Sequence, residues 1–346
     1  MTASRRRLRV LVLMQPGTLP PDDVSGRTEQ EKYGWKTEYD MLTTLRALGH
    51  EARPLEVHEE LAPIRRDVEE WKPHVVVNLL EAFFDLREFD QHVVSYLELL
   101  RVPYTGCNPR GLVLARDKSL AKKILTYHRI PVPKFDVVHR GRRVRRAKAL
   151  SFPLIVKSLT EESSVGIAQA SVVWTDEELE TRVRFIHESI KSDALIEEFI
   201  DGREIYVGVL GNKRLTVLPP WELFFENTAP GSVAIATQRV KHNLEYQAKH
   251  GISEGPASLV SGLHDKLVSS VRRIYRILSL DGYARLDFRL RADGTPFFIE
   301  ANPNPEIAQS EEFAKSALNA GLSYETLIER IVSLGIRRGA IERSWD

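Results

Sequence analysis

One segment of the chain brings together side chains suited to holding a cation. Asp293-Gly294 is a strong two-residue turn signal between apolar runs. A turn centred there makes Ala292 face Thr295, so Asp287 faces Glu300 and Arg285 faces Asn302. Strand alternation then puts Leu286, Phe288, Leu290, Phe297, Ile299 and Ala301 on the opposite, apolar face. Directly opposed carboxylates repel. A divalent cation between them removes the conflict, and an all-oxygen ligand set suits magnesium. A solvated outer face, where water screens the repulsion, fits the spacing equally. Pro303 and Pro305 hold the exit extended and weigh against a casual surface hairpin.

Other charged residues stand in unusual surroundings. Lys157 interrupts the apolar run 154–157, so its ammonium must meet a counter-charge or reach a cleft. Lys118 sits near a helix start and Lys249 in a long segment of weak periodicity; each is also compatible with an ordinary surface lysine. Residues 161–166, with Ser163, offer hydroxyls and backbone N–H groups between two strands, as a phosphate-covering flap does. Glu197 and Glu204 flank Asp201-Gly202, where carboxylates can accept bonds from an adenine amine or ribose hydroxyls, or simply face water.

Several chemistries are excluded. No GxxxxGK[ST] or strand-linked GxGxxG occurs, against P-loop enzymes and nicotinamide dehydrogenases. The ten histidines form no HExxH, and the single Cys107 allows neither an internal disulfide nor a cysteine-rich zinc site. No base is placed beside Cys107 to make it a nucleophile. The basic run 139–148 reads as a solvated connection or as an anion or RNA patch. With 49 basic and 48 acidic residues the net charge is +1, which is not the balance of a general nucleic-acid binder. No apolar run approaches the roughly 20 residues of a membrane span, and the basic 5–7 lacks the rest of a secretion signal.

These residues need elements to position them. The 346 residues suggest two or three domains, and 42% hydrophobic with 28% charged residues is ordinary for a globular chain. Strands are expected at 8–14, 51–57 and 74–80, alternating with helices at 36–48, 61–71 and 90–100. That order implies a parallel sheet covered on both faces, with ligands at the carboxyl ends of its strands. Beyond a turn-rich 103–109, a helix at 111–128 is followed by strands at 135–139, 153–158, 168–174, 194–200 and 204–210. Thr175 or Asp176 can cap a helix at 177–191. Residues 221–258 read as a long loop of weak periodicity, a functional lid or a disordered segment. A helix at 259–278, the hairpin 284–302 and helices at 310–320 and 324–334 close the chain.

In order and spacing, the hairpin and the segments 103–106, 116–118, 131–133, 154–157, 163–166 and 320–323 resemble the ATP-grasp superfamily, and within it the D-alanine–D-alanine ligases. The resemblance covers most of 103–334. It implies an α/β, ATP-grasp fold with an N-terminal parallel α/β (pre-ATP-grasp) domain: 1–105 on the substrate side, 106–205 the central lid domain and 206–346 the catalytic domain. It implies roles as well. Lys118 and Lys157 resemble the lysines on ATP phosphates, Glu197 the adenine-side acid, Phe199 and Ile200 the adenine linker, and Glu204 the ribose ligand. Asp287, Glu300 and Asn302 resemble ligands of magnesium, two ions in the family, with manganese the alternative. Arg285 resembles the arginine that steadies acyl transfer, Ser163 a serine of the closing loop, and Lys249 the phosphate lysine of the mobile loop.

The implied enzyme is a cytoplasmic ATP-dependent carboxylate–amine ligase acting through an acyl phosphate on small molecules, amino acids foremost. It has no nucleic-acid or membrane partner, and a homodimer is compatible. A true D-alanine–D-alanine ligase and a catalytically silent ATP-binding regulator are the other readings. The chain departs from the family's pattern at 15–21, at Glu162, at His250, and at Glu306, Glu311 and Glu312. All of these bear on the amino-acid half.

Overall fold

The computed structural model describes residues 7–161, 166–226, 233–237, 240 and 243–342. Strands β1 (Arg9–Met14), β2 (Glu51–Glu56) and β3 (Val75–Asn78) form a parallel sheet in the order β2-β1-β3. The apolar run of β1 is divided between two cores. Val10, Val12 and Met14 pack with Met41, Leu42 and Leu45 of helix Lys36–Ala47. Leu11 and Leu13 pack with Ile64 of helix Ala62–Glu70 and Val93, Val94 and Leu97 of helix Asp90–Leu99. Burial on both faces is why this strand reads as continuously apolar.

A second sheet is antiparallel: β4 (Phe135–Val138), β5 (Leu154–Ser158), β6 (Val172–Val173) and β7 (Ala194–Glu198), ordered β4-β7-β5-β6. Helix Asp176–Phe185 covers it, opened by the Thr175 hydroxyl, which accepts from Glu178 N at 3.2 Å. The expected strand 168–174 is shorter than its pattern suggests, since Gln169–Ser171 turns as a 3-10 helix.

The third sheet comprises β8 (Arg203–Leu210), β9 (Thr216–Val217), β10 (Trp221–Phe225), β11 (Ile252–Pro256), β12 (Tyr283–Leu290) and β13 (Pro296–Pro303), ordered β11-β10-β8-β12-β13 with β9 on β8. Helix Ser261–Ile277 packs Leu267, Val271, Ile274 and Tyr275 on one face. Phe313 and Ala317 of helix Glu312–Asn319 pack into a second core.

Two expectations are corrected. The helix at 111–128 is two helices, Pro109–Arg116 and Lys118–Tyr127. Asp117 between them is extended, and its carboxylate accepts from Ser119 N and Leu120 N, both at 2.9 Å, so it caps the second helix. Residues 221–258 are not a long loop: β10 and β11 lie in the large sheet, and helix Leu244–His250 precedes β11. Trp221, Leu223 and Phe225 alternate on a strand paired along both edges.

Candidate active site

The hairpin is built differently from the sequence expectation yet presents the same face. Arg291 N donates to Thr295 O at 3.1 Å and Gly294 N to Arg291 O at 2.9 Å, so the turn is one residue longer than expected. Gly294 has φ +79°, which favours glycine. A bulge then restores the register: Phe288 pairs with Phe298, whereas Asp287 pairs with Glu300, leaving Ile299 as the extra residue. Asp287 therefore faces Glu300, and Arg285 faces Asn302. The core assignment changes accordingly. Phe298 is fully buried against Phe288, while Phe297 and Ile299, expected in the core, are half-buried.

Asp287 is buried and held by Arg285 in a bidentate pair, Nε to Oδ1 at 2.8 Å and Nη2 to Oδ2 at 2.9 Å. Asn302 Nδ2 donates to the same Oδ2 at 3.0 Å. The third Arg285 donor, Nη1, reaches Glu312, and the guanidinium lies 4.8 Å from the Tyr206 ring centre. Burial works against the Arg285 charge, but Asp287 outweighs it and raises the guanidinium further above its ordinary range. Among the described residues, no group of three or more His, Cys, Asp or Glu is arranged to hold a metal. What the hairpin offers is two opposed carboxylates and an amide. That all-oxygen set fits a hard divalent cation whose other ligands come from phosphate oxygens and water.

The second sheet supplies the opposite wall of a cleft of about 630 Å³, open to solvent. Lys157 on β5 and Glu197 on β7 both line it, and so do Phe199, Ile200, Glu204 and Glu300. Lys157 Nζ lies 3.1 Å from Glu197 Oε2. Burial disfavours the Lys157 ammonium, yet Glu197 and Glu300 prevail and raise its pKa. Burial likewise opposes the Glu197 charge, but two lysines hold its carboxyl below the ordinary carboxylate range. Lys118, buried at the start of its helix, donates to Glu161 O at 2.5 Å and lies 3.9 Å from Glu300 Oε2. An apolar patch of Ile155, Val172 and Ile235, with Ile167 and Phe199 against it, closes the far end.

The sequence reading missed two buried cations here. Lys122 is the second lysine on Glu197, with Nζ 3.0 Å from Oε1. Arg289 donates to Glu204 Oε2 at 2.9 Å, to Ile200 O at 3.0 Å and to Ala234 O at 2.8 Å, and so ties Glu204 to the segment that follows β7. Tyr206 adds a bond from its hydroxyl to Glu204 Oε1 at 2.9 Å. Arg289 had a signal, since it continues the 285, 287 alternation; Lys122 lies one helical turn beyond Lys118, a spacing that does not separate it from a polar stripe.

The structure does not gather every expected residue. Ser163 and the neighbouring Glu162 lie outside the described residues. Lys249 is exposed on helix Leu244–His250 and is not among the residues lining the cleft. Cys107 is buried, and burial pushes its thiol up, so it is no nucleophile.

Beside Arg285 lies a region rich in glutamate. Lys36 pairs with Glu306 at 3.1 Å and with Glu311, under the Tyr33 ring at 4.5 Å. Glu38, also buried, is pushed up to about 7 by burial, with the charges of Glu81 and Glu306 adding to the effect against a Thr18 hydrogen bond. Among the described residues no helix is long and apolar enough to cross a membrane.

The family model for the C-terminal domain of D-ala D-ala ligases matches residues 124–333. An uncharacterized protein of Sinorhizobium fredii, y4sG, is 33% identical over 270 residues, covering 76% of this chain and 75% of its own. The D-alanine–D-alanine ligase of Geobacter sulfurreducens is 29% identical over 296 residues, 84% of this chain and 86% of its own. The fold matches the ATP-complexed crystal structure of the D-alanine–D-alanine ligase from Bacillus anthracis with a TM-score of 0.74 at 23% identity, over 97% of this chain and 99% of that one. With the cleft just described, these similarities establish that the chain has the ATP-grasp fold and belongs to the D-alanine–D-alanine ligase family of ATP-dependent C–N ligases, whose products include ADP and phosphate.

Proposed function

We propose that the protein joins a carboxylate to an amine, both on amino acids or close relatives, through an acyl phosphate. One observation carries this reading: Lys157 and the opposed carboxylates Asp287 and Glu300 line one cleft with an apolar end, and Lys118 stands 3.9 Å from Glu300. ATP lies with its base against Phe199 and Ile200, its ribose at Glu204 and its phosphates at Lys118 and Lys157. Glu197 sits on the adenine side and steadies Lys157. Asp287, Glu300 and Asn302 hold magnesium, which supplies charge neutralisation for the phosphates when bound.

A substrate carboxylate oxygen attacks the γ-phosphorus, and ADP leaves with the bonding pair of the cleaved P–O bond. The lysines offset charge on the transferred group. The amine nitrogen then attacks the acyl carbonyl, phosphate departs, and the nitrogen loses its proton. Arg285, held rigidly by Asp287, lies where charge develops on the carbonyl oxygen. Water must be excluded, since it hydrolyses an acyl phosphate. Closing roles for Ser163 and Lys249 rest on the family resemblance alone. We place the reaction in the cytoplasm, where ATP is available.

The amine substrate carries a positive charge beyond its reacting nitrogen, a reading supported by Glu306, Glu311 and Glu312 around Arg285 and Lys36. The test is an ADP-release screen over pairs of D- and L-amino acids and diamines, with mass spectrometry of the products. Release of ADP that needs both a carboxylate and an amine is expected. ADP release with no amine requirement overturns the reading.

A further inference from the structure

Lys122 has 0% of its surface exposed. It leaves the same face of helix Lys118–Tyr127 as Lys118, one turn later. Its Nζ stands 3.0 Å from Glu197 Oε1 and also donates to the carbonyl of Ile299. The Phe298 ring lies 5.5 Å away. The two acceptors belong to different sheets: Glu197 to β7, and Ile299 to β13, where it is the bulged residue. An ammonium so enclosed costs free energy unless its partners are in place, and here those partners are the two walls of the cleft.

We propose that Lys122 is a positioning residue for the ligase reaction. Its ammonium pins the bulge at Ile299, which keeps Glu300 opposite Asp287, and it occupies one oxygen of Glu197, which leaves Lys157 aimed into the cleft. Two arguments support the division of labour. A bulge adds one residue to a strand, and nothing in the ladder itself fixes where the extra residue sits. A donor on the bulged carbonyl does fix it, and a slip by one residue would turn Glu300 to the other face. On the other wall, Glu197 Oε2 holds Lys157 at 3.1 Å while Oε1 is taken by Lys122. Without Lys122 the full carboxylate charge falls to Lys157 and draws it off the phosphates.

The inference rests on the ATP-dependent ligase reading. Its test uses the full chain as wild type, Lys122→Met, Lys122→Arg, Glu197→Gln and the double variant Lys122→Met/Glu197→Gln. ATP affinity is measured by calorimetry, kcat and KM for ATP by ADP release, and folding by the thermal midpoint. Lys122→Met should weaken ATP binding at least about tenfold, because it leaves a buried carboxylate with a single partner. The double variant should bind ATP more tightly than Lys122→Met, since the stranded charge is gone, and the two substitutions should couple rather than add. Its kcat should stay as low as in Lys122→Met, because the Ile299 carbonyl still lacks its donor. A merely structural lysine would move affinity, kcat and midpoint together.

The proposal is overturned if Lys122→Met stays within about twofold of wild type in affinity and kcat, or if the double variant shows additive losses. Recovery of kcat alongside affinity overturns it too. If Lys122→Met does not fold, Lys122→Arg decides: the retained charge should keep ATP affinity within about threefold, while the different shape lowers kcat about tenfold. An unchanged kcat in Lys122→Arg refutes the role. A wild-type protein that binds no ATP refutes the ligase reading itself and this proposal with it, whereas normal ATP turnover with indifferent Lys122 variants refutes only the proposal.

Discussion

The carboxylates of Asp287 and Glu300 face each other across β12 and β13, and Ile299, bulged beside them, sets that register. Arg285 takes both oxygens of Asp287, while Glu300 keeps 20% of its side chain exposed and stands 3.9 Å from Lys118. Both carboxylates line the cleft, Asp287 held by Arg285 and Glu300 on the side of Lys118.

Glu300→Gln should therefore abolish turnover while leaving the fold intact. The amide keeps shape and hydrogen bonding but removes the charge that a hard cation needs. A fall of about a hundredfold or more in kcat is expected, with a thermal midpoint close to wild type. ADP release measured across a magnesium titration checks it, and near-full activity at saturating magnesium sinks the assignment.

Lys157→Met tests the opposite wall. Methionine keeps length and packing on β5 and deletes the ammonium. ATP affinity should fall by roughly 1.5–3 kcal/mol, the range of a hydrogen bond to a charged group. Calorimetry reads this directly, and an unchanged dissociation constant refutes the role.

How legible this site was depends on which forces place each residue. Alternation along β12 and an Asp-Gly turn brought Arg285, Asp287, Glu300 and Asn302 to one face because strand period is local. The turn length and the bulge were not legible, and their two errors cancelled at Glu300 but not at Phe297 and Ile299. Lys157 stood out as a charge in an apolar strand. Lys122 did not, because in a helix with Lys118 and Lys123 nearby it reads as part of a polar stripe. Only the approach of β7 and β13 buries it. The parallel sheet was legible from the runs of β1 and β3, whereas β10 and β11 were hidden by weak periodicity and long separation.

Glu38 should give stability a pH dependence of its own. Its carboxyl is raised from 4.5 to about 7 in the folded state. The unfolded chain then releases the proton at a lower pH than the folded chain does. Its contribution is full below about pH 4.5 and is lost as pH rises through about 7. The shift corresponds to about 3 kcal/mol as an upper figure. Glu38→Gln should remove this slope, so the variant gains on wild type between pH 5 and 8. Urea unfolding of both proteins at the two pH values checks it, and parallel stability curves refute it.

D-alanine paired with D-alanine should not give the highest kcat/KM. On the proposed assignment, the phosphate-handling residues would touch only the reacting group and ATP, so they would serve any carboxylate. Selection falls to the residues beyond Asn302, and there the cations already have carboxylates. Arg285 spends two donors on Asp287 and a third on Glu312. Lys36 is paired with Glu306 and Glu311. An incoming substrate carboxylate competes with these glutamates, whereas an incoming cation is drawn to them. A buried carboxylate also favours a counter-charge over a methyl group. A basic amino acid or a diamine should therefore exceed D-alanine as the amine partner by at least about tenfold in kcat/KM. Glu312→Gln sharpens the test: with Nη1 of Arg285 released, the preference should move back toward amine partners that carry a carboxylate. If D-alanine with D-alanine leads every pair tested and Glu312→Gln leaves the ranking unchanged, the glutamates only face solvent and the pocket is built by other residues.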